Sequence, residues 1–319
     1  FGSGRDIANI EWNGPCGREP GSECGSYHQR LGSEYDYITF SADMVGMSEP
    51  DRGEFALTLV TDFSKFTWIA DYLHQGVVQN LLVTRAMKSH LATMPELVER
   101  GVTIESDEIY FWGISMGSMF GATVMALSPE IKRGVFGVAG HNINQVMDRS
   151  FEFEPFFEIM KSTYPRRIDQ LLCEPTVQLL WDGTDTVSYM RHLSADPLPG
   201  REPAHVMVDV TRGDPSVPPI IMEHVARSEM GVRMMENYDD ERSIELVAPQ
   251  NYPYTGSGLI NWHHGQPWAA LGNQAPAAEL GNPHHYTRQR EDHQRQVDHF
   301  FRTGEIIDVC NGGTCPAMP

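Results

Sequence analysis

The stretch YFWGISMGSMFGATVMALSP, residues 110–129, places a serine between two glycines. Bulky aromatic residues precede Gly113, as in a buried strand, and small and apolar residues follow Gly117, as in a helix packed on a sheet. A nucleophilic serine needs a sharp turn between a strand and a helix, and glycines two residues before and after it relieve crowding there. We therefore predict that Ser115 is a nucleophile, with a structural turn serine as the alternative.

Strand-like and helix-like segments alternate on both sides of this turn. Strands are predicted at 37–41, 108–112, 134–139, 206–210 and 243–248. Helices are predicted at 66–94, 116–127, 218–230 and 291–301. The order of strand, tight turn, helix and strand is typical of an α/β fold with a mostly parallel sheet and flanking helices.

One long segment interrupts this alternation. Residues 142–200 contain short helix-like clusters separated by prolines, which indicates an inserted helical cap. The prediction divides the chain into a core region at 1–141, the cap at 142–200 and a second core region at 201–319. Residues 250–283 are rich in Pro, Gly, Asn and Trp and are predicted to be irregular.

The charge balance excludes several classes of partner. With 24 basic and 43 acidic residues, the formal net charge is −19. Such a surface repels nucleic acid and anionic membranes, and no basic patch offsets it.

No apolar run reaches the length of a membrane span. We also predict no cofactor.

Two carboxylates could orient a general base for Ser115. Asp214 follows the predicted strand 206–210 directly, as a carboxylate at the end of a parallel strand should. Asp185 follows residues 171–181, a stretch whose pattern fits a helix of the cap as well as it fits a strand. Asp214 is the preferred acid, whose task is to hold an imidazole in one tautomer, and Asp185 is the alternative.

Six histidines lie in the C-terminal part: His263, His264, His284, His285, His293 and His299. The base should lie on a loop after the last strand and before the last helix, so His284 is preferred and His285 is the alternative. His293 and His299 are predicted on a solvated helix face. A zinc or iron site including Asp292 is a less favoured interpretation, because the spacing matches no common ligand set. No metal is predicted.

Cysteine positions indicate an exported protein. Cys16 with Cys24, and Cys310 with Cys315, bracket short Gly-rich loops that two disulfides could close, leaving Cys173 over. The alternative is five free thiols in a cytoplasmic enzyme. A secreted or periplasmic location is predicted, with any leader removed before Phe1.

With serine, acid and histidine in this order, the chain resembles bacterial α/β-hydrolase-fold esterases and lipases over residues 1–303. It looks most similar to large secreted hydrolases with a helical insertion, in which segments like "GISMGSMFGATVMALSP", "DPLPG" and "GDPSVP" recur. The resemblance implies hydrolysis of carboxylic esters through an acyl-enzyme. It also implies an oxyanion hole built from the backbone N–H of Met116 and of Phe1 or its predecessor, with "FGSGRD" as the tail of a His-Gly loop.

The resemblance also implies a sheet of about eight strands, whereas five are predicted here. We therefore expect an N-terminal segment or a second chain to complete the sheet beside residues 37–41, with a genuinely minimal sheet as the alternative. That segment should also supply the second oxyanion N–H.

Several aromatic side chains are candidates for an acyl pocket, with plain packing as the alternative for each. They are Phe151, Phe153, Phe156 and Phe157 of the cap and Trp262 and Trp268 of the irregular region. The substrate is then a small-molecule or lipid ester. A peptidase or acyltransferase on the same triad stays open, as does a non-catalytic binding protein with the same fold.

Overall fold

The computed structural model describes most of the chain from residue 27 onwards. The described residues are 27–227, 231–236, 238–239, 244–263, 265–268 and 282–316. Within these ranges, none of the helices combines the length and the apolar character that a membrane crossing requires.

The described residues form both helices and strands. The α-helices are α1 (Tyr27–Tyr35), α2 (Glu49–Thr61), α3 (Phe66–His90), α4 (Pro95–Val98), α5 (Met116–Leu127), α6 (Ile143–Arg149), α7 (Glu154–Thr163), α8 (Arg167–Trp181), α9 (Arg191–Ser194), α10 (Pro219–Ala226) and α11 (Glu291–Thr303). The strands are β1 (Ile109–Ile114), β2 (Ile131–Gly137), β3 (His205–Arg212), β4 (Arg233–Met235), β5 (Pro249–Gln250), β6 (Tyr254–Thr255), β7 (Gly258–His263), β8 (Glu305–Ile306) and β9 (Cys315–Pro316). Short 3-10 turns lie at Phe63–Lys65, Leu91–Thr93, Phe151–Phe153, Thr186–Tyr189, Pro283–His285 and Thr287–Gln289.

The predicted α/β architecture with a mostly parallel sheet and flanking helices is confirmed. Seven of the described strands form one sheet in the order β1-β2-β3-β7-β4-β5, and β9 pairs with the end of β7. All pairs in this sheet are parallel, and a separate antiparallel pair joins β6 to β8. The carboxyl ends of β1, β2, β3 and β7 therefore meet at one edge, where ligands bind in sheets of this kind.

Both faces of the sheet are buried, which explains the long apolar runs in its strands. On one face, Val206 and Val208 of β3 pack in a cluster with residues of α3, α5 and α10. On the other face, Met207 of β3 packs with Val297 and Phe300 of α11. Successive residues of a strand point to opposite faces, so β3 anchors both layers. Helix α5 forms over the segment predicted for it, and β1, β2 and β3 overlap their predicted segments.

The predicted strand at 37–41 is wrong. The segment has no strand pairing in the structure, and Ile38 and Phe40 are exposed, so its apolar residues do not cover a buried sheet face. Tyr37 is instead fixed to α11, because its hydroxyl donates to Asp298 at 2.9 Å and its ring lies against Phe301.

The predicted strand at 243–248 is also wrong, and the strand beside β3 lies further along the chain. Residues 244–247 form a turn in which Leu246 is 85% exposed. β7 lies instead in the region predicted to be irregular. Its first residue is a glycine on which side chains pack closely, because a Cβ at Gly258 would meet Ile306 Cδ1 at 2.6 Å and Met235 Sδ at 2.9 Å and would force them to shift.

The segment predicted as a cap is helical. It runs from α6 to α9 between β2 and β3, with α6 packed against α8. Its outer helices keep apolar side chains in solvent, among them Ile168 (57% exposed), Leu172 (59%) and Leu179 (72%). The exact limits of the core and cap regions stay predictions.

Candidate active site

Ser115 occupies a strained turn between β1 and α5. Its φ of 56° and ψ of −123° lie in a region that non-glycine residues rarely adopt. The turn is held by the Ser115 backbone N–H, which donates to Gly137 O at 2.8 Å on β2. A Cβ at Gly113 would meet the Gly117 carbonyl oxygen at 2.5 Å, so the glycine two residues before the serine is required. Strain of this kind is typical of functional turns.

Helix α5 begins immediately after the serine. The carbonyl oxygen of Ser115 accepts from the backbone N–H groups of Ser118 and Met119 at 2.9 and 3.1 Å. The N–H of Met116 is at the first position of the helix, where N–H groups have no intrahelical acceptor. The positive end of the α5 dipole therefore lies at Ser115, where it favours developing negative charge.

Asp214 and His284 form a buried pair. His284 Nδ1 lies 2.6 Å from Asp214 Oδ2, and the two residues are 6% and 0% exposed. The other carboxylate oxygen accepts from the backbone N–H groups of Ser216 and Val217 at 2.8 and 3.0 Å. Since a carboxylate only accepts, Nδ1 carries the proton and Nε2 is left as the acceptor, which is the tautomer a general base needs.

A polar network ties the loops that carry this pair. Asn282 accepts from the backbone N–H of His284 at 3.0 Å and donates to Ser216 Oγ at 3.1 Å. Ser216 Oγ also donates to Glu152, at 3.3 Å, at the start of the cap. The acid loop, the histidine loop and the cap are therefore positioned relative to one another.

The buried side chain of Arg288 contacts two residues of the histidine loop. It donates to His284 O at 3.5 Å and its other terminal nitrogen lies 2.8 Å from His285 Nδ1. Burial lowers the pKa of Arg288. Partial burial, followed by the charge of Arg288, lowers the pKa of His285 to about 4. His285 is therefore a neutral acceptor for Arg288, and the carboxylate partner belongs to His284.

Asp185, the alternative acid, has a different environment. It is 2% exposed and accepts from the backbone N–H groups of Asn142, Ile143 and Val187 at 3.2, 2.9 and 3.1 Å. The Gln178 side chain donates to it at 3.0 Å. The carboxylate thus caps α6 and the turn Thr186–Tyr189, and its hydrogen bonds hold the cap together.

Two of the predicted pocket residues, Phe153 and Phe156, lie in the cap segment. Phe153 packs against an apolar cluster that includes Met119 of α5, together with Met116. Phe156 follows with ring centroids 5.9 Å apart and is 39% exposed. Phe153 therefore packs the cap segment on the apolar cluster at the start of α5, and Phe156 contacts Phe153.

The prediction that Trp262 lines a pocket is wrong. Trp262 is fully buried in the core between the sheet and α11, because it belongs to β7 and points to that face. Trp268 is partly buried on the opposite side of the sheet and donates from Nε1 to Asp239 at 2.9 Å. The guanidinium of Arg212 lies 5.5 Å from its ring centroid.

The prediction that His293 lies on a solvated helix face is wrong as well. His293 and Asp209 are each 1% exposed at the side chain, and His293 Nε2 lies 2.7 Å from Asp209 Oδ2. The signal for this pair is Asp209 itself, a charged residue in the middle of the apolar strand HVMVDV, because a buried charge requires a partner. His299 is partly exposed and pairs with Glu305 at 3.0 Å.

A small cavity connects the two buried pairs. It lies behind the serine turn, at the carboxyl ends of β1 and β2. Its lining residues are Ile114, Gly137, Val138, Asp209, His284, Thr287, Arg288 and His293. Because Ile114 directly precedes Ser115 and shares this cavity with His284, the serine turn and the imidazole are neighbours in space.

The remaining predicted residues divide into those inside and those outside the described residues. Cys310 and Cys315 form the predicted disulfide, and Cys173 is a free thiol. Phe1, Cys16, Cys24 and His264 lie outside the described residues. Among the residues that the structure describes, no group of three or more His, Cys, Asp or Glu side chains is arranged to hold a metal ion.

The chain was compared with protein-family profiles, with curated proteins and with solved structures, and none of the three comparisons returns a match.

Proposed function

We propose that the protein is a serine hydrolase of the α/β-hydrolase fold that cleaves carboxylic esters through an acyl-enzyme. The observation that carries this proposal is the buried Asp214–His284 pair, with Nδ1 and Oδ2 2.6 Å apart, beside the strained turn of Ser115. A carboxylate bonded to Nδ1 leaves Nε2 free to take a proton from a serine hydroxyl. A serine with only a structural role in the turn would need neither Asp214 nor His284 beside it.

The order of the strands supports the same fold. Ser115 follows β1, the cap follows β2, Asp214 follows β3 and His284 follows β7, and these four strands are consecutive neighbours in the sheet. Nucleophile, acid and histidine in this chain order are what the α/β-hydrolase fold uses. All three residues then belong to the one edge where the carboxyl ends of the strands meet.

In the proposed mechanism, His284 Nε2 takes the Ser115 hydroxyl proton while Oγ attacks the ester carbonyl carbon. The carbonyl oxygen becomes an oxyanion next to the Met116 N–H and the α5 dipole. His284 then gives the proton to the departing alkoxide, and a water molecule, activated in the same way, hydrolyses the acyl-Ser115 ester. Asp214 stabilises the imidazolium that forms in each half-reaction.

Two further parts of the proposal concern the surroundings of the site. Among the described strands, β1 pairs with β2 alone, so we propose that an N-terminal segment or a second chain covers its second edge, as apolar sheet edges need pairing. The disulfide at Cys310–Cys315 favours an exported protein. Phe153 and Phe156 make the acyl side of the substrate site apolar.

The test is a substrate series with purified protein. We expect hydrolysis of p-nitrophenyl esters of short and medium acyl chains, and much slower cleavage of the matched p-nitroanilides, because an ester has the better leaving group. Faster turnover of the anilides would favour a peptidase. Absence of turnover on every ester, with the fold intact by circular dichroism, would contradict the proposal.

A further inference from the structure

The second buried Asp–His pair lies under the histidine loop and is not used by the mechanism. Asp209 is on β3 and His293 is the third residue of α11, with 2.7 Å between Oδ2 and Nε2. The imidazole is flanked by Trp112 and Trp262, whose ring centroids lie 5.7 and 5.3 Å away. In such surroundings neither polar group would be tolerated alone.

This pair is one of three contacts that join β3 and the loop after it to the segment 284–293. Asp214 contacts His284, Thr211 Oγ1 lies 3.1 Å from Thr287 Oγ1, and Asp209 contacts His293. Asp209 and Thr211 are two residues apart, so they point to the same face of the strand. From Asp214 back to Asp209, the contacted residue therefore moves forward from His284 to His293.

All six residues of these contacts are buried. Asp209 and His293 share the cavity behind the serine turn with His284 and Arg288. A shift of α11 along β3 would change this cavity and carry His284 away from Asp214. An apolar contact tolerates such a slide, whereas a hydrogen bond between two short side chains accepts one register.

We propose that the Asp209–His293 pair is a positioning device that fixes the register of the histidine segment on β3, and thereby the place of His284. The proposal rests on the proposed function, in which His284 is the base. Neither Asp209 nor His293 touches a reacting atom, so both are positioning residues.

Replacement of a buried pair of polar or charged groups by apolar residues of similar size is often neutral for stability. Register and stability can therefore be separated. We compare the wild type with D209L/H293L, which removes both partners, and with D209N, which keeps an acceptor for His293. The control is H299L on the same helix, where the histidine is partly exposed and pairs with Glu305.

Three quantities are measured for each protein: kcat and KM on one p-nitrophenyl ester, the thermal midpoint, and the far-downfield proton NMR signal of His284 Nδ1–H, assigned by its loss in His284→Ala. For D209L/H293L we expect kcat to fall at least about tenfold with KM nearly unchanged, since a small misplacement of a catalytic group costs up to about a hundredfold. The His284 signal should shift or broaden, while D209N and H299L stay near the wild type.

Wild-type kcat and an unchanged His284 signal in D209L/H293L would overturn the proposal, as would an equal loss in D209N. If D209L/H293L does not fold, Thr287→Val removes the middle contact without touching a charge. We expect it to lower kcat severalfold at constant KM, and an unchanged kcat and His284 signal would overturn the proposal. If the wild type hydrolyses no ester, the proposed function fails, and the NMR comparison still decides the positioning role.

Discussion

His284 Nδ1 lies 2.6 Å from Asp214 Oδ2, although 70 residues separate the two in the chain. Both side chains are buried, and both lie on loops that leave the same edge of the sheet. Two backbone N–H groups hold the second carboxylate oxygen, so the carboxylate cannot turn away from the imidazole. Each proposed catalytic role can be tested by a change that leaves this arrangement otherwise intact.

Asp214→Asn should damage catalysis far more than Asp185→Asn. An amide at position 214 would present a donor to Nδ1 and favour the wrong imidazole tautomer, so we expect kcat to fall by about 10³–10⁴ with the fold intact. Asp185→Asn should instead cost about 1–3 kcal/mol of unfolding free energy, because the N–H groups that it caps lose an acceptor. Kinetics and urea unfolding of both variants check this, and the reverse ranking of kcat would assign the acid to the cap.

His284→Ala and His285→Ala should differ in the same way. We expect loss of the base at 284 to lower kcat by about 10⁴ or more. Replacement of His285 should have a much smaller effect, because His285 is the acceptor of Arg288 and not of a serine proton. Equal losses in the two variants would contradict the assignment of the base.

His141 should make the protein less stable in acid. Its Nδ1 lies 2.6 Å from Thr186 Oγ1, and complete burial lowers its pKa from 6.5 to about 3. Between these values the unfolded chain takes up a proton that the folded chain refuses, so stability falls as the pH drops. One such proton is worth about 1.4 kcal/mol per pH unit. Urea unfolding between pH 4 and 7 should show a shallower pH dependence for His141→Gln, and parallel curves would contradict it.

Replacement of Phe153 should change substrate specificity, whereas replacement of Trp262 should change stability. Phe153→Ala removes a ring that packs on the apolar cluster beside α5. We expect the ratio of kcat/KM for a medium-chain over a short-chain ester to change by about tenfold, since one apolar group more or less in a substrate pocket is worth about 1–3 kcal/mol. Trp262→Phe should lower the free energy of unfolding by about 1–3 kcal/mol and leave that ratio unchanged. A changed ratio in Trp262→Phe would indicate that Trp262 lines the substrate pocket after all.

The parts of the fold that the sequence predicts are those with strong local signals. The serine turn has glycines at both sides, and α5 has a continuous run of small and apolar residues. Asp214 directly follows an apolar strand. For such segments, local sequence and tertiary structure favour the same conformation.

The parts that the sequence missed depend on distant contacts. β7 lies among glycines and prolines, and its pairing with β3 is needed to show that Gly258 and Trp262 belong to a strand. His293 is on a highly charged helix and is buried because Asp209, 84 residues earlier, points at it. Tyr37 does not form the predicted strand, because its hydroxyl donates to Asp298 of α11. Local patterns carry no information about such partners.

The most direct test of the central claim is covalent labelling of Ser115. The purified protein is treated with a fluorophosphonate, digested and mapped by mass spectrometry, beside Ser115→Ala and a Ser118→Ala control from the same helix. We predict one adduct, on Ser115, in the wild type and in Ser118→Ala, with ester hydrolysis lost in step with labelling, and no adduct in Ser115→Ala. Labelling elsewhere, or hydrolysis that persists in Ser115→Ala at about a tenth of the wild-type rate, far above the residual rate of a triad lacking its nucleophile, would contradict the account.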